Sequence, residues 1–171
     1  MRRATLLLAI AAAMPSCQGS DSSDQGVTAT RFAGGWDSDA PQGAPVMLLR
    51  DDLEGTLGEV EFVGGVQTYG INYEVEGELH RGNGELSLSL TCAEARLVSN
   101  AARAPAADGE TPWTPLDCAG WELELSCALA GDCESNGCNL VCDVIYFGDG
   151  YATMAMPLSD VEDQFAIWNR V

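Results

Sequence analysis

The sequence contains no lysine and a single histidine, His80. Without lysine there is no amine for a Schiff base and no lysine-activated nucleophile. His80 ends an alternating segment beside a turn, where an imidazole lacks the buried orienting partner that acid–base catalysis needs. An exposed surface histidine is the plainer assignment. No C-x-x-C pair occurs either. Structural zinc sites use such pairs to bring two thiolates within tetrahedral reach. After the leader, no apolar run approaches the roughly 20 residues that cross a bilayer core. Positive charge is scarce: eight arginines stand against 26 acidic residues, and Arg2 and Arg3 are two of the eight. Such a chain repels phosphate backbones, so nucleic acid is a poor partner. It also repels anionic lipid headgroups, which leaves membrane contact to a lipid anchor. Asp37 to Asp39 and Asp21 to Gly26 lack the ligand spacing of a calcium loop.

What is present begins with the leader. In "MRRATLLLAIAAAMPSC" two arginines precede an apolar run from Ala4 to Ala13. That order is a secretory signal. Two cleavage points compete. Ala11 to Ala13 suits an ordinary signal peptidase. "MPSC" resembles a bacterial lipobox, in which the peptidase cuts just before a cysteine, here Cys17, that becomes lipid-modified. Pro15 and the absence of the usual Leu depart from that pattern. Counting supports the second point. There are seven cysteines, and an odd one in an exported chain asks for an explanation. Assigning Cys17 to a lipid leaves six, all in the second half. The lipobox resemblance implies a signal peptide over 1–16, a lipid-attached tether over 17–30 and a domain over 31–171. The tether "QGSDSSDQG" is polar and Ser/Asp/Gly-rich, a flexible composition. Gln18, where aspartate does not follow the cysteine, implies an outer-membrane address in a Gram-negative envelope. Secretion without an anchor is the alternative.

"CALAGDCESNGCNLVC" places four cysteines in sixteen residues, with five, four and three residues between them. In an oxidising compartment such cysteines cross-link. "WELELSC" and "LVCDVIYF" read as the two strands of a hairpin, which sets Cys127 opposite Cys142 and lets Cys133 and Cys138 close the loop between them. Cys92 and Cys118 flank the long connection from Ala93 to Asp117, and joining them pinches it at the base. Six cysteines allow fifteen connectivities; Cys92–Cys118, Cys127–Cys142 and Cys133–Cys138 is the expected set.

The domain, roughly 140 residues, suits one folding unit. It reads as all-β. "YGINYEVEGELH" alternates with period two, setting Ile71, Tyr73, Val75, Gly77 and Leu79 on one face and four polar residues with His80 on the other. Asn83-Gly84 marks a hairpin turn. "ELSLSLTC" aligns Leu86, Leu88, Leu90 and Cys92, and "WELELSC" aligns Trp121, Leu123, Leu125 and Cys127. Val60 and Phe62 stand opposite Glu59 and Glu61. "GGWDS" and "PVMLLR" supply an opening pair. "IYFGDGYATMAM" reads as two strands around Gly148-Asp149-Gly150, and "QFAIWNRV" closes the chain. "CAEARLVSNAAR" is the one stretch with a short helical pattern. The expected fold is an antiparallel up-and-down meander of eight or nine strands, closed into a disulfide-stapled barrel, since closure removes exposed edges. The outward glutamates, Glu59 to Glu124, read as a solvated surface, because calcium needs converging oxygens and a sheet face diverges.

"GGW" at Gly34 to Trp36, followed by a meander and a final "FAIWNRV", resembles the opening and closing strands of calycin-like barrels, the lipocalins and avidins. The lipocalin resemblance implies that Arg170 covers Trp36 through a cation–π contact worth about 0.5–2 kcal/mol. The middle lipocalin motif and avidin's ligand-contacting groups have no counterpart. Two functions are expected, both without catalytic residue, cofactor or metal, and the first, ligand binding, is the leading one. In one, the barrel binds a small apolar ligand lined by Trp36, Phe62, Tyr73 and Trp121, with Trp113 on the long connection as a contact residue. In the other, the interior is solid and the loops contact an envelope protein, as an interaction or inhibitor module.

Overall fold

A computed structural model describes residues 29–39, 45–80, 84–99, 113–133, 137–154 and 156–171. The leader, Cys17, most of the tether, Asn83 and positions 100–112 lie outside the described residues. Residues 29–32 make one helical turn. Nine strands follow: β1 (Gly34–Ser38), β2 (Val46–Leu49), β3 (Glu54–Gly64), β4 (Gln67–Leu79), β5 (Leu86–Ser99), β6 (Thr114–Leu116), β7 (Glu122–Asp132), β8 (Gly137–Phe147) and β9 (Ile167–Arg170). A 3-10 turn (Asp149–Thr153) and one helix, α1 (Leu158–Phe165), separate β8 from β9. No described helix is long and apolar enough to cross a membrane.

Eight strands form a closed antiparallel barrel in the order β1-β2-β3-β4-β5-β7-β8-β9, and β9 returns to β1. Period-two patterning is the cause. Leu57, Val60, Phe62, Ile71, Tyr73, Val75, Leu86, Leu88, Leu90, Leu123 and Leu125 are all buried, and closure buries one face of every strand at once. Bulges interrupt the register at Leu57/Val60, Asn72/Tyr73 and Glu124/Leu125. Each inserts unpaired backbone and bends the strand, which curves the sheet toward closure.

The three disulfides are Cys92–Cys118, Cys127–Cys142 and Cys133–Cys138. Cys127 and Cys142 are register partners in the β7–β8 ladder, with Cα atoms 4.1 Å apart. Cys133 and Cys138 close the tip of the same hairpin.

Three sequence expectations need correction. Cys92 does not end its strand: β5 runs on to Ser99, and Leu97, Arg96 and Ala95 pair with Thr114, Pro115 and Leu116 of β6. The long connection is therefore shorter than Ala93 to Asp117, and "CAEARLVSNAAR" is strand through Ser99, not helix. Ladder bonds to both β4 and β6 outweigh its local helix preference. Next, the described residues of "GYATMAM" form no strand. The chain turns at Gly148 into the 3-10 helix. Finally, "QFAIWNRV" is strand only from Ile167, because Gln164 and Phe165 end α1. That helix opens after Pro157, whose fixed φ suits a helix start. Asp160 lies in its first turn, where negative charge is favoured.

One barrel end, called the lower, carries the β2–β3, β4–β5 and β7–β8 hairpins. There Phe32 and Leu53 are buried. Leu53 has φ +65°, unusual outside glycine, and its Cβ packs 2.9 Å from where a Cβ on Gly77 would lie. The upper end carries the β3–β4 turn and the long β8–β9 connection.

Candidate functional site

The residues expected to line a ligand cavity are all buried: Trp36 0%, Phe62 1%, Tyr73 1% and Trp121 4%. All four belong to one continuous buried core. Trp36 sits toward the lower end, where its indole Nε1 donates to the Phe32 carbonyl at 2.8 Å. The guanidinium of Arg170 lies 5.5 Å from the Trp36 ring centroid. Arg170 also donates to the carbonyls of Ala33 (3.0 Å) and Arg31 (3.3 Å). One side chain thus seals the first strand, the last strand and the helical turn together.

Phe62, Tyr73 and Trp121 meet in the upper half, around side chains that the β8–β9 connection inserts. Tyr151 packs edge-on against Phe62 (6.2 Å), Trp121 (5.1 Å) and Phe147 (5.6 Å). Phe165, from the end of α1, reaches Phe62 (6.1 Å), Tyr73 (6.3 Å) and Trp168 (6.3 Å). Because β4 and β9 are opposite walls of the barrel, Phe165 spans the lumen. Offset and edge contacts of this kind are favourable beyond their burial. Neither Tyr151 nor Phe165 was singled out by the sequence pattern. The i, i+3, i+4 spacing of Val161, Gln164 and Phe165 was the available signal.

Glycines fix the connection in place. A Cβ on Gly148 would lie 2.3 Å from the Gly120 carbonyl oxygen, and one on Gly150 would lie 2.8 Å from that oxygen. This close approach lets Gly150 N donate to Gly120 O at 2.7 Å and Gly148 N to Glu122 O at 2.8 Å. Gly120 itself has φ +78°, a backbone that side-chain-bearing residues rarely adopt.

Inside, the hydroxyls of Tyr73 and Tyr151 are 2.5 Å apart. Burial holds both phenols above the usual value. A phenolate on Tyr151 would repel one on Tyr73, and the shared hydrogen bond further opposes ionisation of Tyr73 while easing that of Tyr151. A phenol raised in the folded state keeps its full stabilising contribution below the unfolded value, about 10, and loses it as pH climbs through the folded value. Stability is expected to be flat from neutral pH to about 10 and to fall above it. Urea unfolding from pH 8 to 11.5 measures this. The Tyr73→Phe/Tyr151→Phe double variant should be less sensitive to alkali; an unchanged slope would remove the pair as the cause.

The outer wall differs from the lumen. Glu74 stands between Thr56 and Thr91, Glu76 between Glu54 and Ser89, and Glu122 and Glu124 opposite Thr91 and Ser89. Hydroxyl positions on β5 therefore separate the glutamates of β4 from those of β7, which limits like-charge repulsion. Arg50 meets the Glu54 carboxylate at 2.7 Å. His80 is exposed, with Nε2 2.6 Å from Ser87 Oγ. Trp113 is half-buried and lies under the Arg96 guanidinium, 4.6 Å from its ring centroid. Arg96 pairs with Glu59. Gly70 permits that pair, since a Cβ there would lie 2.9 Å from the Glu59 carboxyl carbon.

Two concavities of about 240 and 280 Å³ lie on this wall, one beside Arg50, Glu54, Glu74 and Glu76, the other beside Asp143, Glu162 and Asp163. Both are smaller than the roughly 300 Å³ of a typical ligand pocket, and both are acidic. Among the described residues no group of three His, Cys, Asp or Glu is placed to hold a metal ion. Known proteins offer no guide to these features: no family model, curated protein or solved structure matches the chain.

Proposed function

We propose that the protein is an exported, lipid-anchored and non-catalytic interaction module of the cell envelope, a solid barrel that contacts another protein through its outer wall and upper loops. The observation that carries this reading is the seating of Tyr151 and Phe165 in the lumen, among Phe62, Tyr73 and Trp121. An apolar cargo in the upper half would have to displace a segment held by two backbone hydrogen bonds between glycine-rich turns. The phenols there ionise only far above neutral pH, so they are poor acid–base groups under physiological conditions. Trp113, half-exposed beside the Arg96–Glu59 pair, supplies an amphipathic ring of the kind that anchors protein contacts. The basic-then-apolar leader supports an address outside the cytoplasm, with Cys17 as the lipid attachment and Gln18 favouring the outer membrane.

Native mass spectrometry of protein extracted from the envelope tests the reading. The expected mass is that of a chain beginning at Cys17, acylated, with six thiol hydrogens missing and no small-molecule adduct. A stoichiometric apolar adduct would overturn the solid interior. An unmodified amino terminus at Met14 would overturn the anchor.

A further inference from the structure

The two neighbours of β8 cover it unequally. β7 pairs with it from Gly137 to Phe147, whereas β9 pairs only with Asn139, Leu140 and Val141. Cys142 N makes the last bond on the β9 side, donating to Ala166 O at 2.9 Å. Main-chain groups alternate in direction along a strand, so the N–H and C=O of Val144 face the same side as those of Cys142. β9 does not reach that far, and among the described residues no backbone group meets Val144 there. In place of a strand lies the groove of about 280 Å³, with Asp143 and Val144 on one side and Glu162, Asp163 and Ala166 on the other. Ile145 (59% exposed) and Tyr146 (47%) continue β8 beyond it. An unpaired edge is a template for another strand, and proteins commonly blunt it with proline or lysine. The outer edge of β6 carries Pro115. β8 carries neither proline nor a basic side chain.

The geometry points to the upper edge of β8 as the docking site for an extended, basic segment of a partner protein, which joins the sheet as a strand beside Val144. The inference rests on the reading of the chain as an interaction module and names the chemistry of its partner. Charge selects the occupant. Asp143, Glu162 and Asp163 line the groove, and none of them pairs with an arginine: the described ion pairs are those of Arg50 with Asp52 and Glu54 and of Arg96 with Glu59. An acidic segment, or a second copy of a chain with net charge −18, is repelled from this groove. In strand addition the main chain supplies affinity and alternate side chains supply specificity. A docked residue opposite Val144 shares its inward face, where the Val144 side chain packs against the core, and an apolar residue suits that position. The next docked residue shares the outward face of the exposed Asp143, where lysine or arginine suits. The favoured segment therefore alternates apolar and basic. The extra residue at Ile145 bends the edge, since Leu125 pairs with Val144 and Glu124 with Tyr146. That bend keeps the docked stretch short. Binding is expected at micromolar concentration and should weaken with salt.

Fluorescence anisotropy tests the proposal on the full exported chain carrying Cys17→Ser, which removes acylation. The probe is a fluorescein-labelled hexapeptide of alternating lysine and valine, and its glutamate–valine counterpart is the control. The expected result is saturable binding of the lysine peptide at low salt and none of the glutamate peptide. Asp143→Asn/Glu162→Gln/Asp163→Asn should raise Kd about tenfold or more. Glu122→Gln/Glu124→Gln, on β7 and outside the groove, should leave it unchanged. Val144→Pro removes an N–H that faces away from the β7 ladder, a position where proline is tolerated, and should raise Kd about fivefold, the effect of one hydrogen bond. Hydrogen exchange needs no variant: the Val144 amide should exchange more slowly in the parent protein saturated with the lysine peptide. No saturable binding up to about 1 mM peptide overturns the proposal. So does binding that Glu122→Gln/Glu124→Gln weakens equally, or binding that leaves Val144 exchange unchanged, since either means charge attraction without strand pairing. A dimer of the protein alone that Val144→Pro abolishes, seen by sedimentation velocity, assigns the edge to a second copy instead. An apolar adduct in the native mass spectrum would overturn the solid interior and leave all of these outcomes unmoved.

Discussion

Tyr151→Ala is expected to destabilise the protein by about 3–5 kcal/mol, the range for deleting a large buried aromatic. Tyr151 is 1% exposed and makes ring contacts with three aromatic side chains. Its removal opens a void in the upper lumen and leaves the Tyr73 hydroxyl without the partner it now has at 2.5 Å. Tyr151→Phe isolates the second part, and about 1 kcal/mol is expected from the lost hydrogen bond alone. The alanine void is lined by aromatic rings, and dry apolar voids of this kind take up small apolar molecules. Toluene or xenon should therefore raise the Tm of Tyr151→Ala and leave the parent protein unaffected. A loss under about 1 kcal/mol would mean that the 3-10 segment does not fill the lumen, and with it the solid-barrel reading fails.

Opening the Cys92–Cys118 bridge by a double Cys→Ala change is expected to cost about 3.5 kcal/mol, from the chain entropy released by a loop of this length. The two cysteines are 26 residues apart in sequence. The bridge also has a local effect. Cys92 N donates to Trp121 O at 3.1 Å, and Trp121 N to Cys118 O at 3.3 Å. The disulfide therefore holds the turn that seats Trp121, and Trp121 is a wall of the Tyr151 site. Residues that share a partner couple energetically. Combining the double change with Tyr151→Ala should cost less than the sum of the two. Urea unfolding curves measure both quantities, and strict additivity would show that the bridge acts on the unfolded chain alone.

How much of this was legible follows from what each signal encodes. Alternation reports which face a residue takes, and Tyr69 to Leu79, Leu86 to Leu90 and Trp121 to Cys127 carry it in nearly pure form. From those faces the hairpin register followed, and from register the opposition of Cys127 and Cys142. Beyond Cys92 the signal fades, because the bulge across from Asn72/Tyr73 shifts the phase of β5. A reader counting by twos leaves the strand there. The segment from Asp149 to Phe165 was harder for a different reason. Its buried residues, Tyr151, Met154, Val161 and Phe165, are spaced irregularly, the first two within the mostly apolar run YATMAMPL and the last two within the acidic SDVEDQF. They bury themselves in a cavity that other strands create, and beyond the single-turn spacing of Val161, Gln164 and Phe165 no local period announces them. The occupancy of the lumen is a tertiary property, and the cavity-lining reading of Trp36, Phe62, Tyr73 and Trp121 was framed without it.

The seam that closes the barrel joins the earliest strand to the latest. Trp36 pairs with Arg170 and Ser38 with Trp168, and Ser38 Oγ donates to the Gln164 carbonyl across 126 positions of sequence. Contacts this distant along the chain are slow to form, since loop-closure entropy is lost before they stabilise anything. The covalently braced β7–β8 hairpin can form from local contacts alone. The β1–β9 seam has to wait for β9, so an emerging chain keeps an open, edge-bearing sheet until its final strand arrives.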